Sequence, residues 1–360
     1  MILGFQHSIG YHRRKTGQFV ISSSKTPFLK TDEAIPHRSI NPIWQTSTQK
    51  RSGMSNASHF ESTGYLPDNE IKKKLKEIKR TDLRTVDFES LKMSIMRLSK
   101  GLTVEAPKYN PGLTLYRGRS INRRPVKVRD LGPPPPHLVS DFGRVNRPKQ
   151  SMFYLNSSRN AVFFELRLNA ADYLVMGHWE VIEKLLMFPV GYSSSVFHQM
   201  NSNRPLPTFG PSSHPLLHNP TNLLLENFFA EQFTKDVPRE NPWEFKISAA
   251  ISENRLSLQE ADGVIYPTIA MRANSDNFAL RATRNRKLVL KKAEFIRVDV
   301  VEEFSFKVTV LDTATEFPNG KILWKGKPKW TLESGELLKF VVEDGQWRAY
   351  DINRRVREYD

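Results

Sequence analysis

Two charged residues stand among strand-forming and apolar neighbours in the middle of the chain. Arg117 lies in the segment TLYRGR, and Glu165 interrupts the apolar run AVFFEL. Burying a guanidinium or a carboxylate in such surroundings is unfavourable unless an opposite charge or hydrogen-bonding partners meet it. Two arrangements satisfy this requirement: Arg117 and Glu165 pair with each other, or a ligand that carries phosphate groups binds there.

Composition and missing motifs exclude several kinds of chemistry. The chain has no cysteine, which excludes disulfides, thiol catalysis and every Cys-ligated zinc or iron–sulfur site. The P-loop, nucleophile-elbow, zinc-protease and protein-kinase motifs are also missing from the sequence. We therefore expect no metal site.

The net charge indicates an anionic partner but does not identify its chemical class. Lys and Arg together number 54 and Asp and Glu 38 in 360 residues, which gives a formal net charge of +16. Such a field attracts nucleic acid, acidic membrane, acidic proteins and phosphorylated small molecules alike. No apolar run is long enough for a transmembrane helix, and the opening MILGF soon turns polar, unlike a secretory signal. We expect a cytoplasmic protein with no membrane partner.

The elements that must position Arg117 and Glu165 are predicted to be short strands and one helix. LTLYRG and SMFYL have the pattern of strands, whereas RNAVFFELR follows a Ser cap as a helix with Ala161, Phe164 and Leu168 facing inward. The β-branched run GVIYPTI is typical of a buried strand, and FALRAT and KLVLKK resemble further strands.

The chain divides into four parts by composition and pattern. Residues 1–66 are rich in Ser, Thr, Asn and Lys, which predicts a loosely ordered extension. Residues 67–104 form a helical lead-in, whose first helix has Asp68 as the predicted N-cap. Residues 105–297 contain the two charged positions, and residues 298–360 predict a β-rich C-terminal extension.

Five blocks of this central region resemble those of the RES-domain family, which is named for its Arg, Glu and Ser residues. The blocks are TLYRGR, LGPPP, GRVN, FYLNSSRNAVFFELR and DGVIYPTIAMRANSDNFAL, and their order and character are similar to the family's. The resemblance covers roughly residues 105–297, slightly more than half of the chain.

The resemblance implies a fold class and an activity. The fold is α/β (α+β), similar to that of ADP-ribosyltransferases, with a mixed β core and flanking helices. The activity is cleavage of the nicotinamide–ribose bond of NAD, so NAD is a substrate and no cofactor is implied. Many members are toxins of bacterial toxin–antitoxin pairs, which implies an antitoxin protein as a partner.

The motifs of the family also imply the site residues. Arg117 matches the first arginine, Arg144 of GRVN the second, Tyr154 of FYLN the tyrosine and Glu165 the glutamate, while Thr268 of YPTI stands where the family usually has serine.

The chemistry of these residue types agrees with that assignment. Arginine is suited to the pyrophosphate of NAD because its planar guanidinium donates two parallel hydrogen bonds. An aromatic face such as that of Tyr154 packs on the nicotinamide ring or the ribose. Glu165 stabilises the positive charge that develops on the ribose, and the Thr268 hydroxyl can bond the ribose or the carboxamide.

Three functions are consistent with these observations. The first is an NAD glycohydrolase or phosphorylase that acts as a growth-arresting toxin. The second is transfer of ADP-ribose to a protein or nucleic acid, guided by the basic surface. The third is a non-catalytic binding module, in which Arg117 and Glu165 form only a structural pair.

Overall fold

The computed structural model describes a defined part of the chain, to which every structural statement below refers. The described residues are 66–102, 104–207, 209, 219–302, 305–326, 337–343 and 346–351. The extension predicted for residues 1–66 lies outside them, apart from Leu66.

Two amphipathic helices open the described region, as the sequence predicts. These are α1 (Asp68–Arg80) and α2 (Phe88–Leu98), and each buries one apolar stripe. The prediction of Asp68 as N-cap is wrong, because Pro67 occupies the cap position and the helix begins at Asp68. The Asp68 carboxylate instead accepts a hydrogen bond of 2.5 Å from the Thr221 hydroxyl, which ties α1 to a later helix.

Four further helices follow in the chain. They are α3 (Arg159–Glu165), α4 (Ser194–Gln199), α5 (Pro220–Phe233) and α6 (Lys246–Arg255). The helix predicted after the Ser cap is confirmed as α3, and its predicted inward residues Ala161 and Phe164 are buried.

The strands form one mixed sheet. They are β1 (Lys108–Tyr109), β2 (Thr114–Ser120), β3 (Met152–Asn156), β4 (Tyr173–Val181), β5 (Leu185–Pro189), β6 (Gly263–Pro267), β7 (Asp276–Arg281), β8 (Leu288–Glu302), β9 (Ser305–Ala314), β10 (Leu337–Glu343) and β11 (Gln346–Asp351). Their order in the sheet is β1-β5-β6-β7-β3-β2-β4-β8-β9-β10-β11. Among the described strands only β5 and β6 pair in parallel. The predicted mixed α/β class is therefore confirmed.

The two faces of the sheet bury different apolar clusters. Side chains alternate between the two faces along a strand. In β3, Tyr154 and the residues two positions away on either side therefore face one side of the sheet, and Phe153 and Leu155 face the other. The face of Tyr154 packs against α1, α2, α5 and α6, and we call it the helical face. Phe153 and Leu155 belong to a separate cluster on the second face.

Strands β2 and β3 meet at only one residue pair. Tyr116 of β2 lies opposite Asn156 of β3, whereas β2 pairs with β4 along seven positions. The two strands therefore diverge beyond that pair, which leaves backbone groups of β3 free to accept other donors.

The C-terminal strands continue the same sheet. Strand β8 runs through residue 297, where composition and resemblance placed a domain boundary, and pairs with β4 on one side and β9 on the other. No helix among the described residues combines the length and the apolar character needed to cross a bilayer.

Candidate functional site

Glu165 is the last residue of α3, and its side chain is solvent-exposed. The Oε1 atom accepts a hydrogen bond of 2.9 Å from Nδ2 of Asn277 on β7. Desolvation by the surrounding protein raises the pKa of Glu165, whereas the Asn277 hydrogen bond and the charges of Arg144 and Arg167 lower it. The carboxylate is thus both reachable from solvent and held in orientation.

A chain of buried amides and hydroxyls fixes the direction of the Asn277 side chain. Asn156 of β3 donates from Nδ2 to Oδ1 of Asn277 over 2.9 Å. The Oδ1 of Asn156 in turn accepts from the Ser275 hydroxyl at 2.7 Å and from the Ser158 amide at 2.8 Å. Since Oδ1 of Asn277 already accepts, its amide nitrogen is directed to Glu165.

Tyr154 lies on the helical face of β3 and is locked by its hydroxyl. That hydroxyl donates to Oδ1 of Asn146 at 2.7 Å and accepts from the Val145 amide at 3.2 Å. The turn that carries these partners needs Gly143, because a Cβ there would lie 2.4 Å from Oδ1 of Asn146. Burial raises the pKa of Tyr154, so the hydroxyl stays neutral.

Arg144 lies in the same turn and caps the C-terminal end of α5. Its guanidinium donates to the carbonyls of Phe233 at 2.5 Å and Lys235 at 3.0 Å, and it lies 5.0 Å from the ring centroid of Phe245. A cation is favoured there because the last carbonyls of a helix lack intrahelical donors. Burial lowers the pKa of Arg144, and Glu165 is among the neighbouring groups that raise it.

Tyr266 of β6 joins this cluster, although the sequence analysis does not single it out. It is buried, and its ring packs edge-to-face on Phe233 with centroids 5.6 Å apart. Burial raises the pKa of Tyr266 well above its ordinary value, with further shifts from Tyr154, Arg144 and Glu165. The four groups therefore lie within electrostatic reach of one another.

Arg117 lies on the second face, away from α3. Its neighbour Gly118 faces α3 so closely that a Cβ there would lie 2.2 Å from Val162. Because adjacent residues of a strand face opposite sides, Arg117 points away from α3 and from Glu165. The Arg117 guanidinium instead lies 5.3 Å from the ring centroid of Phe153, which belongs to the cluster on the second face.

The guanidinium of Arg117 also bridges the gap between the diverging strands. Its Nη1 donates to the backbone carbonyl of Tyr154 at 2.9 Å, while its Nε is enclosed without a hydrogen-bond partner. Burial lowers the pKa of Arg117 to about 10, so the side chain remains charged at neutral pH. Among the described residues it makes no ion pair, and the proposed structural pair with Glu165 is not formed.

Thr268 directly follows β6 and is completely buried. Its amide donates to the Ser275 carbonyl at 2.9 Å, and its carbonyl accepts from the Ala273 amide at 2.7 Å. Its hydroxyl has no hydrogen-bond partner within the part of the chain that is described. Thr268 is thus joined through the backbone to Ser275, whose hydroxyl supports the Asn156–Asn277 amide pair.

The structure therefore brings together three of the five predicted site residues, namely Arg144, Tyr154 and Glu165. It adds Tyr266 and Asn277, which the sequence analysis misses. Both stand inside the block DGVIYPTIAMRANSDNFAL on which the resemblance depends, and that block was the signal that could have pointed to them.

Across the described ranges, no group of three or more His, Asp or Glu side chains is placed to hold a metal ion. Compared with models of protein families, with curated proteins and with solved structures, the chain shows no significant match.

Proposed function

We propose that this protein is an NAD-consuming enzyme that cleaves the nicotinamide–ribose bond, as its resemblance to the RES-domain family implies. In hydrolysis, NAD⁺ and water give nicotinamide, ADP-ribose and a proton; in phosphorolysis, phosphate takes the place of water. We further propose that it acts in the cytoplasm as a growth-arresting bacterial toxin with an antitoxin partner.

The arrangement of Glu165 is the observation that carries this proposal. Its carboxylate is exposed to an incoming substrate, yet Asn277 fixes it from behind at 2.9 Å. Departure of nicotinamide leaves positive charge on the ribose, and a carboxylate held in place stabilises that charge without reorganising. The half-buried ring of Tyr154 supplies aromatic surface against which a nicotinamide ring packs.

The resemblance assigns two arginines to the NAD pyrophosphate, Arg117 on the second face of the sheet and Arg144 at the end of α5. Neither Arg117 nor Arg144 forms an ion pair with a carboxylate among the described residues, so their charges are not neutralised there. Arg117 sits where β2 and β3 diverge, with Nη1 held by the Tyr154 carbonyl. We propose that this divergence belongs to an ADP-ribosyltransferase-like core and admits the dinucleotide.

Product analysis with purified full-length protein tests the proposal. NAD is incubated with the protein, with and without phosphate and candidate acceptors, and the products are resolved. Release of free ADP-ribose indicates hydrolysis, and its phosphorylated form indicates phosphorolysis. If nicotinamide is not released under any of these conditions, the proposed activity is wrong.

Transfer of ADP-ribose to a protein or nucleic acid is the second candidate. It is favoured by the net charge of +16, since a positive surface attracts an acidic acceptor. Label from NAD would then become attached to the acceptor rather than appear as free ADP-ribose.

A non-catalytic binding module is the third candidate. One observation favours it: the guanidinium of Arg144 is already engaged by carbonyls at the end of α5, which is a structural role. Binding of NAD without release of nicotinamide would support this alternative.

A further inference from the structure

A second cleft lies beside the candidate site, on the other side of one loop. It is open to solvent, has a volume of about 590 Å³ and lies between the loop before β3, the end of α6 and the segment after β7. Val145 and Asn146 of this loop hold the Tyr154 hydroxyl, whereas Arg147 and residues 149–151 line the cleft. A cavity of this size suits a small molecule.

Most charges at one end of the cleft neutralise one another. Arg147 contacts Glu89 at 2.6 Å and Glu253 at 3.0 Å, and Lys92 contacts the same two carboxylates, at 3.2 Å in the case of Glu253. Two cations thus face two carboxylates, and this network adds no net charge to the cleft.

Two further cations of the cleft lack such compensation. Lys149 forms no ion pair and no side-chain hydrogen bond with any described residue, and it is exposed. Arg281 donates only through Nη2, to the carbonyls of Leu256 and Leu258, so its Nη1 and Nε have no partner among the described residues. The backbone carbonyls fix the Arg281 guanidinium without cancelling its charge.

The backbone at Lys149 is in a conformation that this residue type rarely adopts. Its φ is 63°, in the left-handed region, and its amide donates to the Val139 carbonyl at 2.7 Å. Strained non-glycine residues of this kind cluster at ligand sites, because the surrounding structure must hold them there. Lys149 is one of the residues that line the cleft.

We propose that this cleft binds a small organic molecule that carries a phosphate group. Lys149 and Arg281 supply two positive charges that form no ion pair with a described residue, and Thr283 is a further polar residue of the lining. The cleft is also lined by Met152 and Leu256, which offer apolar surface to the organic part. The inference is independent of NAD cleavage, because the site involves none of the residues assigned to that activity.

Titration with phenyl phosphate tests the proposal without NAD. Binding to the full-length protein is followed by isothermal titration calorimetry near neutral pH. Lys149→Gln removes one charge while keeping an unbranched stem that ends in a polar group, and we expect it to weaken binding about tenfold or more, as loss of a charge-assisted hydrogen bond does. Inorganic phosphate should bind more weakly than phenyl phosphate, because it has no apolar part.

Lys307→Gln is the matched control. Lys307 is exposed on β9, four strands from β3 in the sheet, and the substitution removes the same charge. Binding that is unchanged in Lys307→Gln and weakened in Lys149→Gln supports the site. Equal weakening in both variants would overturn the proposal, because it would indicate diffuse attraction to a basic protein. Wild-type affinity in Lys149→Gln would also overturn it, as would the absence of binding by the wild type.

Discussion

Asn277 donates a hydrogen bond of 2.9 Å to Glu165 across 112 positions of the sequence. The bond links β7 to the end of α3 and holds an exposed carboxylate in one orientation. Asn277 can do this because Asn156 occupies its carbonyl oxygen. Orientation and charge at Glu165 are therefore separable by mutation.

Loss of the Glu165 charge should abolish most NAD cleavage. Glu165→Gln keeps the size of the side chain and an acceptor for Asn277 but cannot stabilise a cationic ribose. We expect turnover to fall about 10²-fold or more, the usual effect of losing one electrostatic stabiliser. Glu183→Gln, at an exposed position after β4, is the control and should retain turnover. Near-normal turnover of Glu165→Gln would refute its role.

The pH dependence of cleavage should respond to Asn277. Desolvation by the surrounding protein raises the pKa of Glu165, and the Asn277 hydrogen bond lowers it. Asn277→Asp keeps the acceptor for Asn156 but replaces the donor with a negative charge, so the pKa of Glu165 should rise further. We expect the acid limb of kcat/KM to move to higher pH by about one unit or more.

Asn285→Asp provides the control for that pH profile. Asn285 is exposed and lies in the turn after β7, so the added charge is remote from the amide network. An acid limb that is the same in wild type and Asn277→Asp would show that Asn277 does not position or tune Glu165.

Thr268 should affect stability and activity in opposite directions. Its buried hydroxyl has no partner among the described residues, so Thr268→Val removes an unsatisfied polar group while keeping the branched shape. We expect the free energy of unfolding to rise by about 1 kcal/mol and NAD cleavage to fall. Thr268→Ser retains the hydroxyl and should preserve cleavage; equal turnover in Ser and Val variants would exclude a role for the hydroxyl.

Arg117 should matter more for NAD binding than for folding. Arg117 does not pair with Glu165, so Arg117→Ala leaves no carboxylate without its partner. It removes the donor to the Tyr154 carbonyl and the contact with the Phe153 ring. We expect a loss of about 1–3 kcal/mol in the free energy of unfolding, the penalty for one unsatisfied carbonyl.

Thermal unfolding with NAD separates the two roles of Arg117. A ligand that binds only the folded protein raises its Tm, and this shift should vanish in Arg117→Ala. Arg117→Lys should recover little of it, because lysine lacks the planar guanidinium that can donate to the Tyr154 carbonyl through Nη1 and to a pyrophosphate through Nη2. An NAD-dependent shift that persists in Arg117→Lys would contradict the proposal that Arg117 binds the NAD pyrophosphate.

Loss of the buried charge of Glu294 should destabilise the fold. Its carboxylate is 1% exposed and contacts Arg159 at 3.0 Å, His178 at 3.1 Å and Lys292 at 3.1 Å. Removing the charge in Glu294→Gln leaves basic groups buried, which should lower the free energy of unfolding by about 3–5 kcal/mol. Denaturant unfolding measures this loss, which should exceed that of Arg117→Ala.

The same carboxylate should contribute to acid unfolding. Despite the opposing effect of burial, Arg159, His178 and Lys292 hold the pKa of Glu294 well below its ordinary value in the folded protein. Its contribution to stability is therefore complete above the ordinary glutamate pKa and is lost as the pH falls toward the folded value. Unfolding of Glu294→Gln should depend less on pH in that acid range than unfolding of the wild type.

The local pattern of the sequence was sufficient to predict the elements that carry the site. LTLYRG, SMFYL and GVIYPTI are strands β2, β3 and β6, and RNAVFFELR contains α3. These predictions succeed because the alternation of apolar residues in a strand and their spacing in a helix can be recognised within a few consecutive residues. Such a pattern buries one face of the element, whichever element packs against it.

Only the tertiary structure decided which charges meet. Alternation places Arg117 and Gly118 on opposite faces of β2, but the absence of a Cβ at Gly118 matters only once α3 packs there. Arg144 caps α5 by a contact that spans 89 positions of the sequence, and Asn277 bonds Glu165 by one that spans 112. Such contacts depend on sheet order and on the face that each helix covers, which no short stretch of sequence specifies.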